Sequence, residues 1–219
     1  MGFRLILLGP PGVGKGTQAE FIKKRFDLCH ISMGDILREA VRNRTPVGLK
    51  ARRYMDAGTL IPDELVGEII EEKMREDDVR ERFLLDGFPR TERQVEILDA
   101  ILQKVHATID AAFLIELDEE EIVRRLSGRR VCSGCGTLYH LTSKPPRIDG
   151  ICDRCEGSLI QRKDDSEAVI RERLLVYRKE TLPIVDIYDS RGILVRIDGS
   201  GNSEEVQRRI LARLQEFRA

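Results

Sequence analysis

Apolar residues fall along this chain in two alternating rhythms. Short unbroken runs, of which Leu5-Ile6-Leu7-Leu8 is the first, suit strands buried on both faces of a parallel sheet. Further strand candidates lie at 29–32, 83–86, 111–117 and 193–197. Between them the apolar residues recur every three or four positions. That spacing predicts amphipathic helices over 16–26, 35–42, 49–57, 63–75, 91–102, 119–126, 166–181 and 203–217. Strands alternating with helices predict an α/β fold built on a parallel sheet.

Two stretches break the alternation. The segment from Ile36 to about Ile61 is helix-rich and carries no strand pattern, and residues 128–165 hold Gly, Pro, Cys and polar residues around short β-like pieces such as Thr137-Leu138-Tyr139. Both read as insertions into the core. The expected organisation is a core of 1–31, 62–127 and 166–219, a helical insertion at 32–61 and a small β-rich insertion at 128–165. No internal repeat or low-complexity segment is present. Asp118-Glu119-Glu120-Glu121 reads as an acidic helix start that complements the helix dipole, and Arg208, Arg209 and Arg213 as a solvated helix face.

Composition narrows the classes. The chain's 219 residues suffice for one sizeable core with an inserted subdomain. With 37 Lys and Arg against 38 Asp and Glu, the net charge is −1. No bulk field draws the protein to nucleic acid or to a membrane surface, so clustered arginines are read as sites. No run approaches the ~18 apolar residues of a membrane span, and the first apolar run is too short for a cleaved signal peptide. A cytoplasmic location is the expectation.

The first strand leads into Gly9-Pro10-Pro11-Gly12-Val13-Gly14-Lys15-Gly16-Thr17. Glycines at this spacing let the backbone turn its N–H groups inward, and with the following helix N-terminus they form an anion cradle. Lys15 adds a full charge beside the β and γ phosphates. The residue after Lys15 is Gly16, so the hydroxyl that usually meets magnesium is displaced to Thr17 or absent.

A second signal lies in the later insertion. Cys132-Ser133-Gly134-Cys135 and Cys152-Asp153-Arg154-Cys155 form two clips with 16 residues between them. In a reducing compartment such clips favour a tetrahedral metal, with zinc the first choice, over two disulfides. Iron or cobalt would also suit four thiolates. Cys29 stands apart, between Leu28 and Ile31, and reads as a small buried hydrophobe.

Leu85-Asp86-Gly87-Phe88-Pro89-Arg90-Thr91, at the end of a strand, resembles the signature of the adenylate kinases. Ser32-Met33-Gly34-Asp35, Leu37-Arg38, Gly128-Arg129-Arg130, Arg162-Lys163-Asp164-Asp165 and Arg173 follow the same family's order, and the glycine loop with Lys15-Gly16-Thr17 matches it too. The long insertion with four cysteines resembles the zinc-bearing lid of bacterial members. The resemblance implies a five-stranded parallel core, the reaction ATP + AMP ⇌ 2 ADP with Mg2+, one structural Zn2+ on Cys132, Cys135, Cys152 and Cys155, and a monomer.

Carried over residue by residue, Gly12, Val13, Gly14, Lys15, Gly16 and Thr17 hold the ATP phosphates. Arg129 lies near those phosphates, Arg125 near the ATP base, Leu138 and Tyr139 flank that nucleotide, and the Gly201 backbone touches its adenine. Arg38 and Arg90, with Gly87, Phe88 and Pro89, serve the AMP phosphate side. Met33, Thr59, Leu60, Ile61 and Gln94 face the AMP base. Arg162 and Arg173 close on the transferring phosphoryl, and Asp86 orders magnesium-bound water. The family usually carries Thr where this chain has Met33. His30, His106 and His140 are assigned no chemistry, because the attacking AMP oxygen is already ionised and needs no base. Two other readings stand beside this one. One is a zinc ribbon gripping nucleic acid through Arg147, Arg154, Arg162 and Lys163, against which stand its single aromatic, Tyr139, and the lack of a basic stripe. The other keeps the fold and changes the acceptor to another nucleoside monophosphate.

Overall fold

The computed structural model describes residues 2–217. Five parallel strands form the central sheet: β1 (Arg4–Leu8), β2 (Cys29–Ser32), β3 (Phe83–Asp86), β4 (Ala111–Glu116) and β8 (Leu194–Asp198), in the order β2-β3-β1-β4-β8. The apolar runs form the middle because both of their faces are covered. Along β1, Ile6 and Leu8 enter one core cluster, with Ile31, Phe83, Leu85, Ala112 and Leu114, while Leu5 and Leu7 enter the other, with Leu84, Phe113, Val195 and Ile197. A continuous hydrophobic strand is what burial on two sides requires.

Helices α1 (Lys15–Phe26) and α10 (Ser203–Glu216) cover the second cluster. The first is covered by α4 (Asp63–Lys73), α6 (Glu92–Lys104) and α9 (Ile184–Ser190). The helix α5 (Asp77–Glu81) leads into β3. Side chains set the starts. The Thr91 hydroxyl accepts from the Gln94 N–H at the head of α6, and Asn202 with Glu205 closes a capping box on α10.

The first interruption is a helix pair, α2 (Met33–Arg42) and α3 (Pro46–Ala57). Ser32 caps α2 through the Asp35 N–H, and Thr45 caps α3, whose first residue Pro46 has a pre-set φ and no N–H to waste. The second is a three-stranded antiparallel sheet of order β6-β5-β7, from β5 (Arg129–Cys132), β6 (Leu138–His140) and β7 (Leu159–Ile160). It hangs between α7 (Glu119–Ser127) and α8 (Glu167–Val176). Its buried interior is only Cys132, Tyr139 and Cys152, with Cys135 and Leu159 partly buried against them. An apolar core that small needs another staple.

Several elements differ from the sequence expectation. The helix expected over 166–181 divides: α8 ends at Val176, and Tyr177–Thr181 form a π-helical turn. The start of α8 follows a 3-10 turn at Lys163–Asp165. The helices expected at 35–42 and 49–57 begin earlier, at Met33 and Pro46, because their caps lie at Ser32 and Thr45. Cys29 is only partly buried, since it opens the edge strand β2. What burial it has raises its thiol pKa, which makes it a poor nucleophile.

Candidate active site

Every loop that carries candidate chemistry leaves the C-terminal edge of the sheet. This is where open parallel sheets hold ligands, because the order of the strands switches at β1, with the next strands laid to one side of it and β4 and β8 to the other. A cleft of about 1260 Å³ runs along this edge, between the helix pair α2–α3 and the three-stranded insertion.

The glycine loop from Gly9 to Gly14 joins β1 to α1. Gly14 adopts φ 104° as it starts the helix, a conformation that L side chains avoid. Gly12 has φ 83°, and a Cβ there would meet the Leu126 side chain at 2.5 Å. Both therefore need glycine. Lys15 folds back over the loop, and its Nζ donates to the carbonyls of Gly9 and Pro10 at 2.7 and 2.9 Å. Loss of water around the ammonium, with repulsion from Arg90, Arg173 and Arg129, outweighs the pull of Asp86 and brings its pKa down to about 7.

Five arginines come from separate parts of the chain. Arg38 on α2 pairs with Asp35 at 2.6 Å. Arg90 follows β3, and its Nε donates to the Gly87 carbonyl at 2.9 Å. Arg129, at the start of β5, reaches Asp165 through two nitrogens at 2.8 and 2.5 Å. Arg173 on α8 donates to the Asp164 carboxylate at 2.8 Å. Arg162, between β7 and the 3-10 turn, lies close enough to feel Arg38 from one side and Arg129 from the other. Desolvation and these neighbours lower the pKa of Arg162 to about 10. Desolvation and Arg173 do the same for Arg90, also to about 10. Both therefore stay cationic at neutral pH. Positive charge crowded in this way is matched by a polyanion.

One end of the cleft is closed by Arg125 on α7. It donates to Glu121 at 2.8 Å and to the Gly201 carbonyl at 3.2 Å, tying that loop to the helix. Leu138 and Tyr139 line this end. Arg208 and Arg213 are exposed as expected, while the partly exposed Arg209 does more than meet solvent: its Nη1 donates to the carbonyls of Asp198 and Ser200, anchoring the same loop. At the other end lie Met33, Thr59, Leu60, Ile61 and Gln94. Gln94 is 2% exposed. Its Oε1 accepts from the Arg90 N–H and its Nε2 donates to Asp63, each at 2.8 Å.

The cleft thus brings together all the candidate nucleotide-site residues except one. Phe88 is 1% exposed, sits among the core residues below β3 and does not line the cleft, unlike Gly87 and Pro89 on either side. The peptide Phe88–Pro89 is cis. Asp86 lines the floor, with its Oδ2 turned toward Gly16 and 3.7 Å from His30 Nε2.

The sequence reading left out the partners. Asp164 and Asp165 stood inside a quoted motif but had no role, and they hold Arg173 and Arg129. Asp63 and Glu121 hold Gln94 and Arg125. His140 also lines the cleft. Its Nδ1 accepts from the N–H groups of Thr142 and Ser143, which puts the ring proton on Nε2.

The four paired cysteines form a second cluster. Their sulfurs all lie within 4.8 Å of one another, with Cys132 and Cys155 at 3.4 Å and Cys135 and Cys152 at 3.5 Å. A tetrahedron of thiolates at the usual ~2.3 Å metal–sulfur distance has edges of about 3.8 Å. The chemistry and spacing of this set therefore fit one metal ion. The Tyr139 hydroxyl meets Cys152 Sγ at 3.4 Å and accepts from the Asp153 N–H at 2.8 Å. One tyrosine thus joins the sulfur cluster to the cleft wall.

Comparison with known proteins agrees. A family model described as "Adenylate kinase" matches residues 7–193. The adenylate kinase of Clostridium botulinum (strain Loch Maree / Type A3) is 49% identical over 203 residues, covering 93% of this chain and 94% of that protein. That of Caldicellulosiruptor bescii is 48% identical over 211 residues, covering 96% and 98%. That of Acidothermus cellulolyticus is 48% identical over 214 residues, covering 98% and 99%.

Proposed function

Because this chain belongs to the adenylate kinase family, we infer that it catalyses ATP + AMP ⇌ 2 ADP in the cleft described above. The observation that carries the reading is the placement of Lys15, Arg38, Arg90, Arg129, Arg162 and Arg173 around one cleft in a chain of net charge −1. ATP and AMP carry about four and two negative charges near neutral pH, so the two substrates repel, and six cations offset that repulsion.

The glycine loop and Lys15 hold the ATP phosphates, and Arg38 and Arg90 hold the AMP phosphate. Arg129, Arg162 and Arg173 stabilise charge on the phosphoryl in flight. Arginine suits this work because its planar fork donates two parallel hydrogen bonds. The ATP base lies between Arg125, Tyr139 and the Gly201 backbone, and the AMP base faces Met33, Leu60, Ile61 and Gln94. Alignment and electrostatics suffice, since the AMP phosphate oxygen attacks as an anion and leaves no proton to remove. Magnesium, which this family uses with ATP, would when bound offset part of the phosphate charge. Asp86 and Thr17, both lining the cleft, are the residues here that would hold it through water.

The segment 32–61 is the monophosphate-binding part and 128–165 is a lid. Both close over the substrates and keep water from competing as the acceptor. Cys132, Cys135, Cys152 and Cys155 would hold a structural zinc, which would stiffen the lid. Arg162 lines the cleft while Arg147 and Arg154 stay exposed, so the lid offers no continuous basic face to nucleic acid. Among the described residues no helix is long and apolar enough to cross a membrane. The reading of a cytoplasmic, monomeric enzyme rests on the family resemblance alone. A coupled assay with AMP, CMP, UMP and GMP tests the reading. AMP should give the highest kcat/KM, and a pyrimidine acceptor ahead of it would overturn the assignment.

A further inference from the structure

We propose that Asp63 is a positioning residue that locks the Gln94 side-chain amide in one orientation, and so selects 6-amino over 6-oxo purine monophosphates. The proposal rests on the reading above, that Gln94 faces the acceptor base.

A glutamine amide can turn over, exchanging its oxygen for its nitrogen at almost no intrinsic cost. Here its two neighbours forbid the exchange. The Arg90 backbone N–H can only donate, and it meets Oε1 at 2.8 Å. An ionised Asp63 carboxylate can only accept, and its Oδ1 meets Nε2 at 2.8 Å. Turned over, the amide would set N–H against N–H and oxygen against carboxylate. Both favourable contacts would become repulsive in a place that is 2% exposed.

The fold holds the pair at that distance. Asp63 opens α4 and Gln94 lies in the first turn of α6. One turn along α4 from Asp63, Gly67 lets the two helices approach, since a Cβ there would meet Ile97 Cγ2 at 2.8 Å. Ile97 lies one turn along α6 from Gln94. The glycine thus sets the helix spacing that brings carboxylate and amide into contact.

After these two bonds, the amide keeps one N–H and one oxygen lone pair for a ligand. Adenine offers a 6-amino donor beside the N1 acceptor. Hypoxanthine offers the reverse, a 6-oxo acceptor beside an N1–H donor. A free amide would serve either base by turning over, whereas the locked amide serves one. Asp63 is absent from the cleft lining, so it acts only through Gln94.

The test compares kcat/KM for AMP and IMP, with ATP as donor, in the wild type, Asp63→Ala, Asp63→Asn and Gln94→Ala. A hydrogen bond to a charged group is worth about tenfold or more in an equilibrium. Asp63→Ala should therefore lower the AMP-to-IMP ratio by at least about tenfold, through KM more than kcat. Asp63→Asn can itself turn over and present either a carbonyl or an N–H to the glutamine amide, so it should lower the ratio as well, by about threefold or more but less than Asp63→Ala. If Gln94→Ala collapses the ratio and Asp63→Ala leaves it within about twofold, the lock is refuted and Gln94 remains the base reader. If Gln94→Ala leaves the ratio unchanged, the base-reading role itself fails, and the lock with it. Should Asp63→Ala fold poorly, the Gln94 side-chain amide can be followed by nitrogen-15 NMR in substrate-free wild type and Asp63→Asn. Slowed hydrogen exchange of this amide in the wild type that becomes faster in Asp63→Asn supports the lock, and exchange that is unprotected in the wild type or equal in the two proteins overturns it.

Discussion

The Lys15 ammonium lies 2.7 Å from the carbonyl oxygen of Gly9, so before substrate arrives the cradle's charge is held by the cradle's own backbone. Nucleotide phosphate must draw it away. Lys15→Met should cut kcat by at least about 100-fold, as the loss of a key electrostatic group does. The same substitution should raise the thermal midpoint of the free enzyme, because a poorly hydrated ammonium crowded by Arg90, Arg173 and Arg129 is removed. A variant with a tenth of wild-type kcat, or a lowered midpoint, would contradict this.

Proton linkage follows from the same residue. The free-enzyme pKa of Lys15 is about 7, below its unfolded value of 10.5, and bound phosphate raises it. Nucleotide binding should therefore take up a proton at pH 8. Affinity should fall as pH rises above about 7 and level off once pH passes the bound-state pKa. Calorimetry in buffers of different ionisation enthalpy measures this uptake, and its absence in Lys15→Met is the control. For folding, the sign is that native Lys15 binds its proton more weakly than the unfolded chain does. Its unfavourable contribution is thus complete below pH 7 and is relieved between about 7 and 10.5.

Removing Asp165 should destabilise the fold, whereas removing Lys15 should stabilise it. The Asp165 side chain is fully buried against Arg129, whose own is 19% exposed, and Arg173 lies 3.6 Å away. Removing one partner of a buried pair strands the other charge, at a cost of about 3–5 kcal/mol. Chemical denaturation of Asp165→Ala should show a loss of that order, and a change under about 1 kcal/mol would mean that water already compensates Arg129.

Chelation should lower the thermal midpoint, while protein that remains folded keeps its chemistry, because the metal on the cysteines is no reactant. Elemental analysis should return one metal per chain. Tyr139→Phe, which removes the hydroxyl beside Cys152 Sγ, should weaken zinc retention against a competing chelator by about 10- to 100-fold, as the loss of other outer-shell partners does. Equal retention would restrict Tyr139 to the cleft wall.

Met33 is 3% exposed and shares a core cluster with Leu37, Ile61 and Val66 while lining the cleft. A thioether there packs well but cannot donate a hydrogen bond. Met33→Thr restores the family's usual hydroxyl, and one neutral hydrogen bond is worth about 0.5–1.5 kcal/mol. The change in kcat/KM for AMP should stay under about 20-fold, and AMP should remain the best acceptor. A larger change would make this position the dominant base contact.

The parts of the fold legible in the sequence were those set by local chemistry or by burial on two faces. β1, β3 and β4 announced themselves as apolar runs, and the loop from Gly9 to Thr17 by its spacing. The short helix α9 was not legible: the helix pattern over 166–181 stops before Pro183, and seven residues are too few for a clear helical period. The π-helical turn at Tyr177–Thr181 adds residues to the turn without altering composition. The carboxylates that hold the site were illegible for another reason. Glu121 and Arg125 are neighbours on one helix, but Arg129 meets Asp165 and Gln94 meets Asp63 only after the chain has folded. Phe88 was carried over with its motif, although only the residues on either side of it reach the cleft.

The two sheets also differ in how much chain each must wait for. In the central sheet Leu5 pairs with Ala111, and Ala112 with Leu194, so its last strand arrives near the end of the chain. In the lid Arg129 pairs with His140, and Cys132 with Leu159. During synthesis from the N-terminus, all four paired cysteines leave the ribosome before β8 exists. Local closure is the faster step, so the lid can gather its thiolates while the core still lacks an edge. The insertion proposed to close over the substrates is thus the part able to finish first during its making.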